Sequence, residues 1–418
     1  MASIPGGQFT FFATDNPMNV AVTGAGQSPP PAVPGDFNLN VITGSPGGSY
    51  SLPPGYQGVA LLSNQGHMVT LAAGDYGVSV TGDGPDTIQA GSGNDTIYGG
   101  SSPDSIIGGS GHDLIFGGGG DDTIMGGSGP DTIFGGPGHN TIEAGSGPTT
   151  IYGGHGAGPF GDAGSSGQGG DLFGNAFENF PFGIGDGNGL GGDLFAQDGG
   201  DGQGTDLFRE SLNDLWAGVP GGDHWQQLFN EIEDRFFGPG NGGSGGDVIT
   251  GGNGPDLIYG SDGPDTITAG SGPTTIFGGG GGDVIAGGSG ADLIYGGSDG
   301  DTIQGGSGHD TIYGSSGNDL IYGGSGADTI DAGSGNNTIY GGSSADLIGE
   351  SGPGAHDTVF GFDHAGGDAI SFAGENSFTD SFVVATAQQD HGNTTITLPD
   401  GSTMTLVGVS HIDSSFFH

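Results

Sequence analysis

From Gly82 the chain reads GDGPDTIQA, GSGNDTIYG, GSSPDSIIG and GSGHDLIFG, so that an aspartate returns every nine residues. The same frame stops after Tyr152, resumes at Asp247 and runs to Asp346. Eight units before the interruption and twelve after it make twenty, of which sixteen keep the aspartate. A short period that never slips predicts one structural unit stacked on itself many times.

Each unit divides into a turn and a strand. Its last positions, such as Thr96, Ile97 and Tyr98, are β-formers, and the isoleucine points to the opposite side from its two neighbours. The preceding positions are rich in glycine, which permits tight turns and close approach of backbones. The repeat therefore predicts short strands joined by tight turns.

The composition excludes a conventional core. The chain of 418 residues has 103 glycines, 31% hydrophobic residues and a formal net charge of −46, with Arg209 and Arg235 as its two basic residues. Self-repulsion opposes compaction unless cations neutralise it, and nucleic acid is not expected as a partner. The absence of cysteine excludes disulfides and thiolate metal sites, so oxygen-ligated metal must do the cross-linking.

The repeat aspartates are the candidate metal ligands. Each ends a glycine turn, where its carboxylate and the exposed carbonyls supply the oxygens that calcium prefers. The candidates are Asp86, Asp95, Asp104, Asp113, Asp122, Asp131, Asp247, Asp256, Asp265, Asp283, Asp292, Asp301, Asp310, Asp319, Asp328 and Asp346. Solvated turn residues are the alternative, but stacked carboxylates would then repel one another without compensation.

The pattern, written GGSGHDTIY from Gly305 to Tyr313, resembles the repeats-in-toxin (RTX) or hemolysin-type calcium-binding family. The resemblance implies a right-handed parallel β-roll with two units per coil and multiple Ca²⁺ ions between successive turns, held by the aspartates above. Four units depart from the pattern, which puts full calcium occupancy beside them in doubt: Asn140, Thr149, Thr274 and Asn337.

The residue after each isoleucine indicates one roll rather than two. With two units per coil, alternate units share a face, and aromatic residues occupy alternate units on both sides of the interruption. These residues predict one continuous aromatic ladder and an interface: Tyr98, Phe116, Phe134, Tyr152, Tyr259, Phe277, Tyr295 and Tyr313. Cross-strand stiffening is the alternative role.

We therefore expect an all-β protein: a parallel β-roll of about ten coils, with a mostly irregular insert that contains two short helices, and with β caps at both ends. The expected segments are 1–80 (N-terminal arm and β cap), 81–152 and 244–350 (the two parts of the roll), 153–243 (insert) and 351–418 (C-terminal β cap).

Two of these segments carry further features. In the insert, apolar residues at helical spacing predict helices over 206–216 and 223–237, with Trp216 and Trp225 as interface candidates. The C-terminal segment predicts antiparallel β-structure, including a hairpin over 394–406 with an Asp-Gly turn. Its order of short strands resembles the C-termini of type I secretion substrates.

The sequence predicts no enzyme, because no His-Glu-x-x-His occurs and Gly242-Gly-Ser-Gly-Gly246 lies in a repeat turn rather than a strand-to-helix elbow. No Sec signal or membrane-spanning run is apparent. We expect an extracellular or cell-surface protein that folds on external calcium and self-assembles as a surface-layer or filament subunit. The alternative is an adhesin that grips polysaccharide or ice through the aromatic ladder.

Overall fold

A computed structural model describes residues 84–154, 245–350, 354–372, 377–398 and 401–417, together with stretches of the first 83 residues: 8–11, 18–24, 29–32, 34, 37–43, 49–51, 55–62, 66–71 and 73–81. The helices expected over 206–216 and 223–237, with Trp216 and Trp225, lie outside the described residues. The chain forms two compact units, divided within the repeats that precede the interruption.

The first unit contains two sheets. One has, in order, β1 (Gln8–Phe11), β2 (Met18–Gly24), β3 (Phe37–Thr43), β5 (Gly58–Leu62), β7 (Gly77–Thr81), β9 (Thr96–Gly100), β11 (Leu114–Gly118) and β13 (Asp131–Phe134). The other has β4 (Ser49–Ser51), β6 (Met68–Thr70), β8 (Thr87–Gln89) and β10 (Ser105–Ser110), and β12 (Thr123–Ser128) follows in the chain. The pair β1–β2 is antiparallel, whereas β2 and β3 pair in parallel.

The second unit repeats this arrangement. Sheet 1 has, in order, β15 (Thr149–Tyr152), β17 (Leu257–Ser261), β19 (Thr275–Gly279), β21 (Leu293–Gly297), β23 (Thr311–Ser315), β25 (Thr329–Asp331), β27 (Leu347–Glu350) and β29 (Ala369–Phe372). Sheet 2 has β14 (Thr141–Gly145), β16 (Val248–Thr250), β18 (Thr266–Gly270), β20 (Val284–Gly288), β22 (Thr302–Ser307), β24 (Leu320–Ser325), β26 (Thr338–Ser343), β28 (His356–Phe360), β32 (Thr403–Leu406), β31 (Asn393–Thr397) and β30 (Gln388–Asp390).

The repeat frame continues across the interruption. Within the second unit, β15 pairs in parallel with β17, so that Tyr152 lies beside Tyr259. On the other sheet β14 pairs with β16, so that Ile142 lies beside Ile249. The roll therefore resumes in register after the interruption, as the phase of the aromatic residues predicted.

The core is a column of isoleucines. The repeat isoleucines, such as Ile142, Ile258 and Ile303, are 0% exposed, whereas the residues on either side of each isoleucine face outward. Successive coils superpose these side chains at the spacing of neighbouring strands, about 4.8 Å. Each coil thus buries two isoleucines, one from each sheet, which explains how a chain with few apolar residues has a core.

Parallel coils begin before the nonapeptide frame does. In the segment for which we expected an arm and a β cap, β3, β5 and β7 pair in parallel, with Leu39 beside Gly58 and Gly58 beside Gly77. Paired residues of neighbouring coils are 19 residues apart in the chain there, whereas they are 18 apart in the nonapeptide region, as between Leu257 and Thr275. The roll has about 12 turns rather than the expected ten. The additional turns were not predicted because these coils lack the nonapeptide pattern.

The C-terminal segment differs partly from expectation. β28 and β29 pair in parallel with β26 and β27 and so continue the roll, whereas antiparallel structure was expected. The physical reason is that Asp357-Thr-Val-Phe and Asp368-Ala-Ile-Ser keep the aspartate and inward apolar residue of a repeat unit. The predicted hairpin is confirmed, because β31 and β32 pair antiparallel.

One helix, α1 (Ser377–Thr386), was not predicted. It lies between β29 and β30 and contacts β31. No helix in the described part of the chain is long and apolar enough to cross a membrane.

The close stacking of coils requires glycine at some positions, and substitution tests this requirement. Gly306 in β22 has φ +110°, and a Cβ there would fall on the carbonyl oxygen of Gly288 in the neighbouring strand. Gly392 has φ +88° but nothing within 4 Å of such a Cβ. We expect Gly306→Ala to lower the free energy of unfolding by about 1–3 kcal/mol more than Gly392→Ala, because only the first forces strands apart. Urea unfolding followed by circular dichroism in calcium-containing buffer measures the difference, and equal losses would contradict it.

Candidate metal centre

The repeat aspartates form two ladders in the second unit, one at the start of each sheet's strands. Edge 1 precedes the strands of sheet 1 and consists of Thr149, Asp256, Thr274, Asp292, Asp310, Asp328, Asp346 and Asp368. Edge 2 precedes the strands of sheet 2 and consists of Asn140, Asp247, Asp265, Asp283, Asp301, Asp319, Asn337 and Asp357. In the first unit, Asp95 and Asp113 are stacked in the same way, and so are Asp86, Asp104 and Asp122.

One carboxylate oxygen of each aspartate is used by the backbone. The N–H of Asp292 donates to Oδ1 of Asp310 at 2.9 Å, and the N–H of Asp283 donates to Oδ1 of Asp301 at 2.8 Å. The same bond recurs along both edges because a turn of the roll is 18 residues long. These bonds fix each aspartate against the preceding coil and orient its second oxygen.

The second oxygen is buried and lacks a donor. Asp301 and Asp310 are each 1% exposed, and their Oδ2 atoms have no hydrogen-bond partner among the described residues. The same holds, within the described chain, for Oδ2 of Asp247, Asp283, Asp319, Asp328 and Asp346. Burying a charged oxygen without a partner is strongly unfavourable. Each of these ladder positions, here called rungs, therefore requires a cation or a proton.

The acidity of the ladder carboxyls reflects this burial. Loss of solvation is the largest cause, and repulsion between stacked aspartates adds to it for Asp283, Asp301 and Asp346. The pKa rises from 3.8 to about 8 for Asp283, about 7 for Asp247 and Asp301, and about 6 for Asp319 and Asp346. Without a cation, the fold favours the protonated carboxyl.

Glycine leaves room beside each of these Oδ2 atoms without a hydrogen-bond donor, here called orphaned oxygens. A Cβ placed on Gly305 would lie 2.6 Å from Oδ2 of Asp310 and 2.5 Å from the carbonyl oxygen of Gly323 in the next coil. A Cβ on Gly296 would likewise meet Oδ2 of Asp301 at 2.5 Å and the carbonyl oxygen of Gly314 at 2.8 Å. A carboxylate oxygen and a backbone carbonyl oxygen thus converge on one cradle that only glycine keeps open.

The donor set fits calcium. Within the described residues, no three His, Cys, Asp or Glu side chains come together as a metal cluster, so side chains alone do not build the site. Carboxylate and backbone carbonyl oxygens together are the hard ligands that calcium takes at about 2.3–2.6 Å. The aspartates with an orphaned Oδ2, and the carbonyls that face them, are the residues that would hold the ion, whose charge would balance the carboxylates.

The four departures from the repeat keep the ladder without the charge. Asn337 accepts the N–H of Asp319 on Oδ1 at 2.9 Å, as an aspartate would, while its amide donates weakly to the carbonyl of Gly333 at 3.5 Å. Thr149 and Thr274 turn their hydroxyls onto the carbonyls of Gly147 and Gly272. Asn140 likewise donates to the carbonyl of Gly153 at 3.4 Å. These four rungs supply no carboxylate oxygen for a cation.

Sequence reasoning missed several ladder positions. Asp357 accepts the N–H of Asn337, and Asp368 accepts the N–H of Asp346, at 3.1 and 3.0 Å. Spacings of 20 and 22 residues hid them, although the aspartate and the inward apolar residue were visible. His67 takes the position one coil before Asp86, to which both its backbone N–H and its ring nitrogen Nδ1 are hydrogen bonded.

The aromatic ladder is a stack of parallel rings. In the second unit Tyr152, Tyr259, Phe277, Tyr295 and Tyr313 follow one another with centroids 4.8–5.0 Å apart and interplanar angles of 2–8°. In the first unit Tyr98, Phe116 and Phe134 are stacked in the same way. A further stack on sheet 2, which the interface prediction omitted, contains Tyr322, Tyr340 and Phe360. Neighbouring rings cover each other's faces, so the ring edges point outward.

Comparison with solved structures includes a similarity of limited extent. The chain is similar to the crystal structure of extracellular lipase LipA from Serratia marcescens, with 22% identity, a TM-score of 0.26, and coverage of 42% of this chain and 39% of the lipase chain. The matched region thus spans well under two thirds of the lipase, and so low a TM-score supports no argument about fold or activity. No curated protein matches the chain.

Comparison with protein families matches the ladders directly. The profile of the RTX calcium-binding nonapeptide repeat matches residues 80–115, 99–133, 116–151, 134–157, 241–276, 270–303, 277–312, 295–330 and 322–348. These ranges contain every aspartate that the sequence predicted as a ligand. The chain therefore contains multiple copies of the RTX calcium-binding nonapeptide repeat, and these repeats bind multiple Ca²⁺ ions.

Proposed function

We propose that this protein is exported, folds when it meets external calcium, and self-assembles as a structural subunit of a surface layer or filament. The calcium-binding repeats support the first part of the proposal, and the uncharged aromatic strip supports the last. No catalytic role is proposed.

The observation that carries the proposal is the row of buried, donorless Oδ2 atoms. At neutral pH and without calcium, these carboxylates oppose folding, and the net charge of −46 adds self-repulsion. Calcium binds the folded ladder and not the unfolded chain, so its binding free energy becomes folding free energy. Low calcium inside a cell then keeps the chain unfolded for export, and calcium outside folds it.

Export through a type I secretion system is the route that fits a chain that is unfolded inside the cell and folds outside it. Such substrates carry an uncleaved C-terminal signal, and the resemblance of the segment from Asp357 to Leu406 to those C-termini supports this route. RTX repeats are typical of type I secreted extracellular proteins. An unfolded, acidic chain that cannot collapse before it leaves the cell suits this export.

Assembly is supported by a strip without charge on sheet 1. From β15 to β23 the outward residues are threonine, leucine, tyrosine and phenylalanine, such as Thr150, Tyr152, Leu293 and Tyr295. The outward residues of sheet 2 from β16 to β22, such as Val248 and Gln304, are likewise uncharged, whereas turn residues such as Asp262 and Asp299 carry charges that repel a second copy. In a chain of net charge −46, the strip is a surface on which two copies can approach without bringing like charges together.

A polysaccharide or ice adhesin is the second candidate, and the stacking weighs against it. A sugar packs on the face of an aromatic ring. In the second unit the ring faces from Tyr152 to Tyr313 are occupied by the neighbouring rings, with interplanar angles of 2–8°. A glycan array with the calcium-loaded monomer would favour the adhesin if it gave a specific signal, and the structural subunit if it gave none.

Removal of calcium tests the proposal. We expect excess chelator to abolish the β-sheet circular dichroism of the full chain, and millimolar calcium to restore it. Magnesium at the same concentration should not restore it, because it demands smaller octahedral sites. Electron microscopy of the same samples should show sheets or fibres with calcium alone. A chelated chain that stays folded contradicts calcium-driven folding, and a calcium-loaded chain that stays monomeric at all concentrations contradicts assembly.

The raised pKa values predict how the metal-free chain responds to pH. The pKa values of Asp247, Asp283 and Asp301 in the folded chain lie near 7–8, above the ordinary 3.8, so the folded state binds their protons more tightly than the unfolded state does. The resulting stabilisation of the fold is fully present below about pH 4. This stabilisation is lost progressively as pH rises from about 4 to about 8, the interval between the ordinary and the folded pKa values. In chelator, the chain should therefore be most resistant to urea near pH 4 and least near pH 8. In calcium this order should reverse, since bound calcium requires ionised carboxylates. Metal-free stability that rises from pH 4 to pH 8 would contradict the burial argument.

A further inference from the structure

The ladder is not uniform near the interruption. Edge 1 passes from Thr149 to Asp256 to Thr274 in three consecutive coils, and none of these rungs has an orphaned carboxylate oxygen. The two threonines have no carboxylate. Asp256 has one, and it is 5% exposed, so its two oxygens decide whether a cation is required there.

Both carboxylate oxygens of Asp256 accept backbone hydrogen bonds. The N–H of Thr149 donates to Oδ1 at 2.9 Å, as at every aspartate rung, and the N–H of Gly252 donates to Oδ2 at 2.7 Å. At Asp310, further along the same edge, Oδ1 accepts the N–H of Asp292, while Oδ2 has no partner in the described chain. Two buried aspartates at equivalent positions thus differ in one respect, a donor on Oδ2.

Edge 2 has a matching exception half a coil further along the chain. Ser261 is 1% exposed, and its N–H donates to Oδ2 of Asp265 at 2.5 Å. Its hydroxyl contacts both oxygens of Asp265, at 3.0 and 3.2 Å, and also lies 2.9 Å from the carbonyl oxygen of Gly245. The hydroxyl thus lies between a carboxylate and a carbonyl oxygen. Gly260 is the equivalent of Gly305 at this rung, and a Cβ there would still meet Oδ2 of Asp265 and the carbonyl oxygen of Gly278, so Ser261 supplies donors to Asp265 without filling that space.

We infer that Asp256 and Asp265 are not calcium ligands, and that the coils on the C-terminal side of the interruption are held along edge 1 by the protein's own hydrogen-bond donors. This inference rests on the proposed calcium role of the other ladder aspartates. Hydrogen bonds to both oxygens lower the cost of burying a carboxylate charge, so these two rungs require a cation less than the rungs with an orphaned oxygen do. Calcium therefore binds the rungs with orphaned oxygens and leaves this stretch of edge 1 without ions.

The stretch has another source of stability. Strands β15, β17 and β19 carry Tyr152, Tyr259 and Phe277, whose rings are stacked with centroids 4.9–5.0 Å apart. Aromatic pairs contribute stability beyond the area that they bury. The junction at which the chain leaves and re-enters the roll is thus held by stacked rings and protein donors, on the edge where its carboxylates do not require calcium.

Matched substitutions test the inference through the number of bound ions. Asp256→Asn and Asp310→Asn make the same isosteric change on edge 1, and asparagine occupies ladder positions naturally at Asn140 and Asn337. We expect equilibrium dialysis with radioactive calcium, at saturation, to show at least one ion fewer per chain for Asp310→Asn, and the unmodified number for Asp256→Asn. On edge 2, Asp301→Asn should lose at least one ion and Asp265→Asn none.

The outcomes separate the inference from the proposed function. If Asp256→Asn loses as many ions as Asp310→Asn, the inference is wrong and the calcium ladder stands. If neither variant loses an ion, the aspartates are not ligands, which overturns the proposed function and the inference together.

Hydrogen exchange on the unmodified full chain gives a second measurement that needs no variant to fold. As calcium is lowered stepwise, amides of β17 and β19 should keep their protection to a lower calcium concentration than amides of β23 and β25. Loss of protection at one common concentration, or in the reverse order, would overturn the inference.

Discussion

The structure depends on one constraint: carboxylates are buried in rows, and most of them have one oxygen without a donor. Oδ1 of each ladder aspartate fastens its coil to the previous one, and this bond fixes the direction of Oδ2, as at Asp301 and Asp310. The hydrogen bond that builds the roll therefore creates the site that must be neutralised. The proposed function makes folding and ion binding one event, because burial of these carboxylates is unfavourable without the ion.

Glycine connects this constraint to the backbone. Coils stack so closely that a Cβ on Gly305 would fill the space between Oδ2 of Asp310 and the carbonyl of Gly323. At Asp265 the equivalent glycine is Gly260, and the next residue, Ser261, brings an N–H and a hydroxyl that form hydrogen bonds with the Asp265 carboxylate. The glycine content of the repeats is thus a requirement of cation binding as well as of tight turns. The column of isoleucines needs little apolar sequence, because each coil buries only its own two.

Much of this could be predicted from the sequence, because the period carries it. The fixed spacing of aspartate and isoleucine gave two parallel sheets, and the phase of Tyr152 and Tyr259 gave correct pairing across the interruption. The N-terminal coils were not predicted because their ladder positions hold residues such as Gln57 and Tyr76, 19 residues apart. The hydrogen bond from the N–H of Gly252 to Oδ2 of Asp256 could not be predicted, because residue types do not reveal the direction of a backbone N–H. That the rings stack face to face likewise emerged only from the coil geometry.

The most direct measurement is a crystal structure of the calcium-loaded chain, with anomalous scattering to locate the ions. The account predicts an ion between Oδ2 of Asp310 and the carbonyl oxygen of Gly323, with both oxygens at about 2.3–2.6 Å, and its equivalent at each rung with an orphaned Oδ2. An anomalous map without ions at these rungs, in a chain that is nonetheless folded at neutral pH, would contradict the claim that buried carboxylates make this fold depend on calcium.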